Sequence, residues 1–286
     1  MARNVAKAGY EMTVLDLRWE SMAPLLEMGA SEAGSAAEVA AASDITFTSL
    51  PGPPEMESVV IGEGGVLEGI GPGSVYVDLT TNRPSLVRRI EPMFREKGCV
   101  MLDAPVSGGV PGAVAGRLAV LASGDEETYN QCKPVLDAIG DKVQYCGGIG
   151  CGTICKLAHN AINYAFMEAV GECFTVAVKA GVEPEVVWKA VRDGAVGRGV
   201  ALHVSIPGKV LKGDFSPDFA LRLAMKDVTL ACELGEEYDV PMPTIGLALK
   251  DIREAVGRGW GEDDSRAVIR LHEERAGVEI RSQGEG

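Results

Sequence analysis

The stretch G-G-I-G-C-G-T-I-C-K-L-A-H-N-A-I-N-Y, from Gly147 to Tyr164, separates two kinds of sequence pattern. Before it, short apolar runs alternate with segments of helical periodicity, which is typical of a parallel sheet covered by helices. After it, the pattern is helical from Cys151 to about Gly181, and the remaining chain carries no strand signal. We therefore predict an α/β domain at residues 1–148 and an all-helical domain at residues 149–286.

The predicted strands of the first domain are short and apolar. They are Glu11–Leu17, Asp44–Leu50, Ser74–Leu79, Cys99–Asp103, Leu118–Ala122 and Val143–Cys146. The capping box Ser35-Ala-Ala-Glu38 predicts the start of one intervening helix, because each of its two side chains can satisfy a free backbone N–H. Alternating strands and helices favour a doubly wound, Rossmann-type sheet with helices on both faces.

A glycine-rich segment follows the fourth predicted strand. It reads D-A-P-V-S-G-G-V-P-G-A-V-A-G-R-L, from Asp103 to Leu118, and its glycines and prolines predict neither helix nor strand. Glycine lets the backbone approach a ligand closely, and successive N–H groups in such a loop can form a concavity for an anion. Ser107 lies at the lip of this concavity. The segment is therefore a candidate anion site, the alternative being a loop without a ligand.

Three polar residues share one face of the long predicted helix. Lys156, Asn160 and Asn163 stand at positions i, i+4 and i+7, among alanine, isoleucine and leucine. We interpret them as a polar stripe that faces a cleft, with the glycines of Gly147–Gly152 leaving room for a ligand. The alternative is an ordinary solvated stripe.

Composition excludes several classes of partner. The chain has 286 residues, 46% of them hydrophobic, and a formal net charge of −14. An acidic surface does not attract nucleic acid or an anionic membrane, and no apolar run reaches the roughly 18 residues of a membrane span. The seven cysteines lack the spacing of metal ligands, so we expect no metal site. Free thiols without a signal sequence indicate a reducing, cytoplasmic compartment.

These motifs together resemble the β-hydroxyacid dehydrogenases, a family that includes 3-hydroxyisobutyrate dehydrogenase and tartronate semialdehyde reductase. D-A-P-V-S-G-G-V at 103–110 resembles the family's substrate-binding loop, and G-C-G-T-I-C-K-L-A-H-N at 150–160 resembles its catalytic motif. Further matches lie at Leu50–Pro51, Asp78–Thr81, Phe219–Asp227 and Gly259–Ala267. The resemblance implies a Rossmann-type domain followed by a helical domain, and a homodimer or homotetramer.

The resemblance also implies a reaction. The expected chemistry is reversible hydride transfer between a nicotinamide cofactor and a small β-hydroxyacid of the 3-hydroxyisobutyrate or 2-hydroxy-3-oxopropionate type. Lys156 is then the general acid/base, a role for which a lysine pKa must be lowered, and Asn160 orients it or the substrate oxygen. Ser107 with the N–H groups of Gly108 and Gly109 would hold the substrate carboxylate.

Residues at the carboxyl ends of the strands are expected to bind the cofactor, since ligands of open α/β sheets bind there. By resemblance, Leu50, Pro51 and Thr81 line the nicotinamide side. Lys226 reaches the cofactor from the helical domain, and Phe219 packs near the ring.

Asp16 bears on the choice of cofactor. It follows Val14-Leu15, where a carboxylate accepts hydrogen bonds from the ribose hydroxyls and repels a 2′-phosphate. We therefore expect NAD rather than NADP, although Arg18 could partly neutralise a phosphate. The alternative reading of Asp16 is a residue that starts a turn after a strand.

Two features depart from the family pattern. The sequence starts at M-A-R-N-V-A-K-A-G, which resembles the family's first helix, so the first strand and the G-x-G-x-x-G loop are not present in it. We expect that the start of this sequence is misplaced, so that Met1 is an internal methionine of the first helix. The second departure is His159, which stands where the family usually has asparagine. A histidine there resembles the related 6-phosphogluconate dehydrogenases, but Asn163 occupies the position of their proton-donating glutamate. The alternatives are therefore a 6-phosphogluconate dehydrogenase-like enzyme, an imine reductase and a non-catalytic dinucleotide-fold binding module.

Overall fold

The computed structural model describes residues 1–179, 181–194, 197, 199, 201–237 and 243–282. The chain forms two units, Met1–Leu157 and Ala158–Gly286. The boundary between these units lies inside a long helix, α9 (Cys151–Lys179). The predicted helix from Cys151 to about Gly181 is thereby confirmed.

The first unit alternates strands and helices. Its strands are β1 (Thr13–Val14), β2 (Ser31–Glu32), β3 (Ile45–Thr48), β4 (Val75–Asp78), β5 (Val100–Asp103), β6 (Val106–Ser107), β7 (Leu118–Ala122) and β8 (Gly140–Tyr145). Its helices are α1 (Ala2–Lys7), α2 (Trp19–Leu26), α3 (Ala36–Ala41), α4 (Pro53–Ile61), α5 (Val66–Gly69), α6 (Pro84–Glu96), α7 (Gly109–Ala115) and α8 (Glu126–Leu136). All six predicted strands are confirmed, mostly with shorter bounds. The sequence analysis missed the two-residue strands β2 and β6, because neither Ser31–Glu32 nor Val106–Ser107 stands in an apolar run like the one that surrounds β1.

The strands form three sheets. β1 pairs with β2 in the first, and β3, β4 and β5 form the second, with all of these pairs parallel. In the third sheet β6 is antiparallel to β7, and β7 is parallel to β8. Neighbouring residues of β4 point to opposite sides: Tyr76 belongs to one buried cluster and stacks on Phe94 of α6, while Val77 belongs to another. Apolar layers therefore cover both faces of this sheet, as the doubly wound pattern predicts.

The predicted start of α3 at Ser35 is confirmed. The Ser35 hydroxyl accepts a hydrogen bond from the N–H of Glu38 at 3.1 Å, which satisfies one donor that the helix leaves without a partner. The Glu38 carboxylate accepts from the N–H of Gly34 at 2.7 Å, one residue before the Ser35 N–H that a capping box would bond.

The prediction that Asp103–Leu118 contains neither helix nor strand was wrong. The segment forms β6 and α7, joined at Gly108, whose φ of 134° only glycine adopts readily. Pro111 is tolerated because it lies in the first turn of α7, where a backbone N–H has no helical partner. Gly116 ends the helix in the left-handed conformation, with φ of 67°.

The second unit is helical, as predicted. After α9 the helices are α10 (Pro184–Asp193), α11 (Ile206–Gly208), α12 (Leu221–Glu237), α13 (Pro243–Ala255) and α14 (Ile269–Ala276). Within the described part of this unit, the β-pairing consists of one isolated bridge between Ala220 and Asp264. Tyr164, Val228 and Ile252 pack α9, α12 and α13 into a common core. Across the residues that the structure describes, no helix has the length and apolar character needed to cross a membrane.

Candidate active site

A buried carboxylate, Asp78, joins the carboxyl ends of β3 and β4. Its side chain is completely buried and accepts hydrogen bonds from the Thr48 hydroxyl at 3.0 Å, the Thr80 N–H at 3.0 Å and the Asn82 amide at 3.1 Å. Burial raises the pKa of Asp78, and these hydrogen bonds act against that rise. The Leu50 N–H also donates to the Thr80 hydroxyl at 3.1 Å. The two strand ends are therefore held side by side.

Three of the predicted cofactor residues lie at these strand ends. Leu50 and Thr81 are half-buried and Pro51 is exposed. Because Leu50 bonds to Thr80, the neighbour of Thr81, the structure brings the two predicted segments together, as expected for parallel strands.

A second buried carboxylate, Asp103, ends β5 directly opposite Asp78 in the strand register. It accepts hydrogen bonds from the N–H groups of Gly150 and Thr153, both at 2.7 Å. The hydroxyl of Ser123, after β7, also donates to it, and the same hydroxyl accepts from the N–H of Gly152 at 2.8 Å. These partners satisfy free N–H groups at the start of α9, where a negative charge is also favoured.

Burial raises the pKa of Asp103, and the hydrogen bonds from Ser123, Gly150 and Thr153 oppose that rise. Asp103 and Ser123 have no solvent exposure. The start of α9 is thereby fixed to the ends of two strands. The sequence analysis gave Asp103 no role beyond ending a predicted strand and beginning the loop motif. No sequence signal selected Ser123.

The glycines before α9 have different roles, and the prediction that all of them leave room for a ligand was wrong for Gly152. A side chain there would place its Cβ 2.1 Å from the Leu121 carbonyl oxygen, so this glycine lets α9 approach β7. At Gly148, by contrast, a Cβ would meet nothing within 4 Å. Open space is therefore found at Gly148, and close packing at Gly152 in the first turn of the helix.

The polar stripe of α9 is only partly buried. Lys156 is 7% exposed and Asn160 is 6% exposed, whereas Asn163 is exposed. His159, the departure from the family pattern, is also exposed. A lysine is rarely this buried without a specific role, so Lys156 remains the strongest catalytic candidate of the first unit.

The three residues predicted to hold a carboxylate lie around the β6–α7 turn. Ser107 is half-buried and pairs with Ala119 of β7. Gly108 and Gly109 are exposed, and both have positive φ, 134° and 62°. The turn favours glycine at both positions. The conformation of the backbone is therefore one reason for the G-G motif, separate from any role in binding.

Asp16 and Arg18 lie just after β1. Both side chains are exposed, and the Asp16 carboxylate accepts a hydrogen bond from the Arg18 N–H at 2.9 Å. Asp16 thus starts a turn, which was the alternative interpretation of this residue. An exposed carboxylate at a strand end also fits the hydroxyls of a ribose, which are hydrogen-bond donors.

In the second unit, Asp227 of α12 contacts two of the predicted site residues, Asn160 and Lys226. The Asn160 amide donates to its Oδ2 at 2.5 Å, and Lys226 Nζ lies 2.9 Å from its Oδ1. The Asp227 side chain is 2% exposed and that of Lys226 is 25% exposed. The sequence analysis did not select Asp227 as a site residue, although Asp227 directly follows Lys226 at the end of the family match Phe219–Asp227.

Phe219 packs against Tyr164 of α9, with 6.4 Å between the ring centroids. The Tyr164 hydroxyl is hydrogen-bonded to Ser265. Burial, and then the charge of Asp227, raise the pKa of Tyr164 well above its ordinary value, so it stays protonated at neutral pH. Phe219 therefore has a packing role in the core of this unit.

Models of two protein families match consecutive parts of the chain. Residues 1–148 match the NAD binding domain of 6-phosphogluconate dehydrogenase. Residues 150–272 match the family described as NAD-binding of NADP-dependent 3-hydroxyisobutyrate dehydrogenase.

Within the described residues, no group of three or more histidine, cysteine or acidic side chains is arranged to hold a metal ion.

Characterised relatives and solved structures are similar over nearly the whole chain. The 2-(hydroxymethyl)glutarate dehydrogenase of Eubacterium barkeri is 35% identical, covering 98% of this chain and 93% of that protein. The NAD-dependent L-serine dehydrogenase of Pseudomonas aeruginosa is 31% identical, over 97% and 95%. The structure of Mycobacterium tuberculosis 3-hydroxyisobutyrate dehydrogenase with L-serine has a TM-score of 0.85 at 27% identity, over 94% and 93%.

Fold and matches together define the class: the protein is an NAD(P)-dependent oxidoreductase with a Rossmann-type domain followed by a helical domain. Within that class, the chain belongs to the β-hydroxyacid dehydrogenase family.

Proposed function

We propose that this protein oxidises a small β-hydroxyacid with NAD, in a reversible reaction for which Lys156 is the general acid/base. The observation that carries the proposal is the burial of Lys156, 7% exposed, on the helix whose first turn Asp103 and Ser123 fix. A lysine held on a fixed helix can meet a substrate hydroxyl in a reproducible geometry, which is what proton transfer requires.

Each site residue then has a defined task. Leu50, Pro51 and Thr81 would hold the nicotinamide, which when bound would supply the hydride acceptor. Lys156 takes the proton of the substrate hydroxyl as the carbinol becomes a carbonyl, and returns it in the reverse direction. Asn160, one turn further along α9, orients the substrate oxygen, while its own amide is held by Asp227 at 2.5 Å. Ser107, Gly108 and Gly109 bind the substrate carboxylate.

The names of the similar proteins support a narrower substrate class. 2-(Hydroxymethyl)glutarate, L-serine and 3-hydroxyisobutyrate share the unit HOCH₂–CH(R)–COO⁻ and differ only in R. We therefore propose a primary alcohol one carbon away from the carbon that bears the carboxylate. The reaction removes hydride from the CH₂OH carbon and a proton from its oxygen, and leaves an aldehyde, NADH and a proton.

Asp16 supports the choice of NAD. Its exposed carboxylate fits the ribose hydroxyls and would repel a 2′-phosphate. We expect Asp16→Ala to narrow the preference for NAD over NADP, measured as the ratio of kcat/KM for the two cofactors. A parent protein that already prefers NADP would show that Arg18 sets the choice and would contradict this part of the proposal.

A substrate panel tests the proposed function. The protein is assayed for NADH formation with acids that contain HOCH₂–CH(R)–COO⁻, each paired with its matched alcohol in which the carboxylate is replaced by a methyl group. We expect turnover of the acids and at least tenfold lower kcat/KM for the alcohols, because the carboxylate positions the carbinol. Reduction of cyclic imines without oxidation of any β-hydroxyacid would replace the proposal with an imine reductase.

A further inference from the structure

The segment Gly259–Ala267 resembles the family in sequence, but the proposed reaction gives it no task. In the structure it lies between two helices of the second unit, α13 and α14. Gly259 has a φ of 89°, a left-handed conformation that favours glycine, and a short 3-10 turn begins at Ser265. Asp264, just before this turn, has no solvent exposure. A carboxylate is rarely buried so completely unless several groups bond to it.

The Asp264 carboxylate joins two stretches of the chain. Its Oδ2 accepts hydrogen bonds from the N–H groups of Asp218 at 3.0 Å and Phe219 at 3.4 Å, shortly before the start of α12. Its Oδ1 accepts from the N–H of Arg266 at 3.0 Å and from the Arg266 guanidinium at 3.1 Å. One buried carboxylate thus ties the residues that lead into α12 to the residues that lead into α14.

Backbone hydrogen bonds connect the same two stretches. The N–H of Leu221, the first residue of α12, donates to the Asp263 carbonyl at 2.8 Å. The N–H of Arg222 donates to the Gly261 carbonyl at 3.0 Å. A helix leaves its first N–H groups without acceptors of its own, and these two carbonyls supply them. The start of α12 is therefore held in place by the loop that contains Asp264.

The helix α12 carries the contact that orients Asn160. Asp227 lies six residues after Leu221, which is about 9 Å along the helix axis. The bond from the Asn160 amide to Asp227 is 2.5 Å long, and a displacement of about 1 Å would lengthen it beyond a good hydrogen bond. A movement at the start of α12 would therefore reach the Asn160 amide.

A second contact of the same segment lies close to Asn160. Phe219, whose N–H bonds to Asp264, packs its ring on that of Tyr164, with 6.4 Å between the ring centroids. Tyr164 follows Asn160 by one helical turn, so the two side chains lie on the same face of α9. Asp264 thus holds a segment that touches this face of α9 beside Asn160, and a helix that touches Asn160 itself.

We infer that Asp264 is a positioning residue for the reaction: it fixes the start of α12, and through Asp227 it fixes the orientation of the Asn160 amide. This role rests on the proposed function, in which Asn160 orients the substrate oxygen. Asp264 acts through these contacts and not on the substrate.

A pair of neighbouring aspartates supplies the test and its control. Asp264→Asn keeps the size of the side chain but leaves one acceptor oxygen, which cannot serve both Arg266 and the N–H groups before α12. Asp263→Asn is the matched control, because the Asp263 carboxylate binds Arg270 at 2.7 Å and its backbone carbonyl is unchanged. We expect kcat for the best β-hydroxyacid of the panel to fall about tenfold in Asp264→Asn, with little change in KM. Asp263→Asn should stay within about twofold of the parent.

Coupling to Asn160 separates positioning from a general loss of structure. Asp264→Asn should also lower stability, because buried N–H groups lose an acceptor, so a fall in activity alone does not decide. If Asp264 acts through Asn160, Asp264→Asn should cost less than about twofold in kcat when it is added to Asn160→Ala. A further loss of about tenfold in that background would show independent effects and would overturn the inference.

A second measurement does not depend on turnover. The side-chain amide of Asn160 gives a ¹⁵N–¹H NMR signal, which is assigned by its absence from Asn160→Ala. We expect Asp264→Asn to shift this signal and Asp263→Asn to leave it in place. Arg266→Lys is a milder second variant, because one ammonium cannot reach both Asp264 and Ser205 as the guanidinium does, and it should shift the signal in the same direction.

The two measurements keep the two proposals apart. An unshifted Asn160 signal in folded Asp264→Asn or Arg266→Lys would overturn the positioning role of Asp264, whatever the substrate. A parent protein that oxidises no β-hydroxyacid would instead refute the proposed function, and the shifted signal would still show that Asp264 holds the Asn160 amide in place.

Discussion

Asp103 and Asp227 are both buried carboxylates beside α9, but they hold different kinds of partner. Asp103 accepts from two backbone N–H groups at the start of the helix and from a serine hydroxyl that itself bonds to the helix. Asp227 instead binds two side chains, the amide of Asn160 and the ammonium of Lys226. The first carboxylate fixes a backbone, and the second positions groups that we assign to the reaction or to the cofactor.

This difference predicts separate consequences of substitution. Backbone N–H groups that lose a buried acceptor cannot turn to another partner, so their loss reduces stability. Side chains that lose a positioning partner can rotate, and Lys226 is already partly exposed. Changes at Asp227 should therefore reduce activity more than stability, and changes at Asp103 should do the opposite.

The largest expected effect on stability is that of Asp103→Ala. Its loss leaves the N–H groups of Gly150 and Thr153 without an acceptor, so the free energy of unfolding should fall by about 3 kcal/mol. Urea unfolding followed by circular dichroism measures this value. Ser123→Ala is the matched control: it leaves the Gly152 N–H without its acceptor and removes one of the three groups that donate to Asp103, and it should cost about 1–2 kcal/mol. Equal losses for the two variants would contradict the assignment of Asp103 as the principal anchor.

Asp227→Asn should reverse this pattern. Asparagine keeps the size of the side chain and can still accept from Asn160, but it loses the ion pair with Lys226. We expect kcat/KM to fall about tenfold, equivalent to about 1.4 kcal/mol, with the free energy of unfolding changed by less than about 1 kcal/mol. Steady-state kinetics and urea unfolding of one preparation give both numbers. A large fall in the free energy of unfolding, with unchanged kcat/KM of the folded protein, would contradict the proposed difference between Asp227 and Asp103.

A third carboxylate sharpens the comparison through pH. Asp125 caps α8 at the surface, accepting from the N–H of Thr128 at 2.8 Å, and the bonds from Thr128 lower its pKa. Its stabilising contribution, about 1 kcal/mol for such a cap, is present above the ordinary carboxyl pKa and lost as the pH falls through the lower folded value. The pKa of Asp103 is raised, so its pH-dependent contribution is present below the ordinary pKa and lost as the pH rises.

The stabilising contributions of Asp125 and Asp103 should therefore change in opposite directions as the pH falls. Between about pH 7 and about pH 3, the difference in unfolding free energy between parent and Asp125→Ala should shrink. The difference between parent and Asp103→Asn should grow over the same range. If both differences in unfolding free energy changed in the same direction with pH, the opposite pKa shifts assigned to Asp103 and Asp125 would be contradicted.

Much of the fold could be predicted from the sequence, because the hydrophobic periodicity changes from strand–helix alternation to continuous helix at Cys151. The five longer strands, the two-residue strand β1 and helix α9 follow from that signal. The helix α7 could not be predicted, since its glycines and proline have unfavourable intrinsic propensity and its position is set by the turn at Gly108. Propensity is local, whereas this helix depends on the strands on either side of it.

The site was predictable only where a motif had a local spacing. Lys156 and Asn160 lie one turn apart on one helix, so the sequence placed them on a common face. Ser123 and Asp227 act through partners that are 29 and 67 positions away, Gly152 and Asn160. No periodicity links residues at such separations, so these contacts emerge only when the strands and helices are packed.

The most direct measurement is the effect of Lys156→Ala on hydride transfer, with Lys209→Ala as a matched control on a partly exposed lysine distant in sequence from the site. We expect kcat for the best β-hydroxyacid of the panel to fall by about a hundredfold or more, because a positioned acid/base contributes about 10²–10⁴-fold. The dissociation constant for NAD should change less than about threefold, since the lysine is assigned to the substrate hydroxyl. Turnover by Lys156→Ala within about tenfold of the parent, at unchanged NAD affinity, would contradict its assignment as the general acid/base.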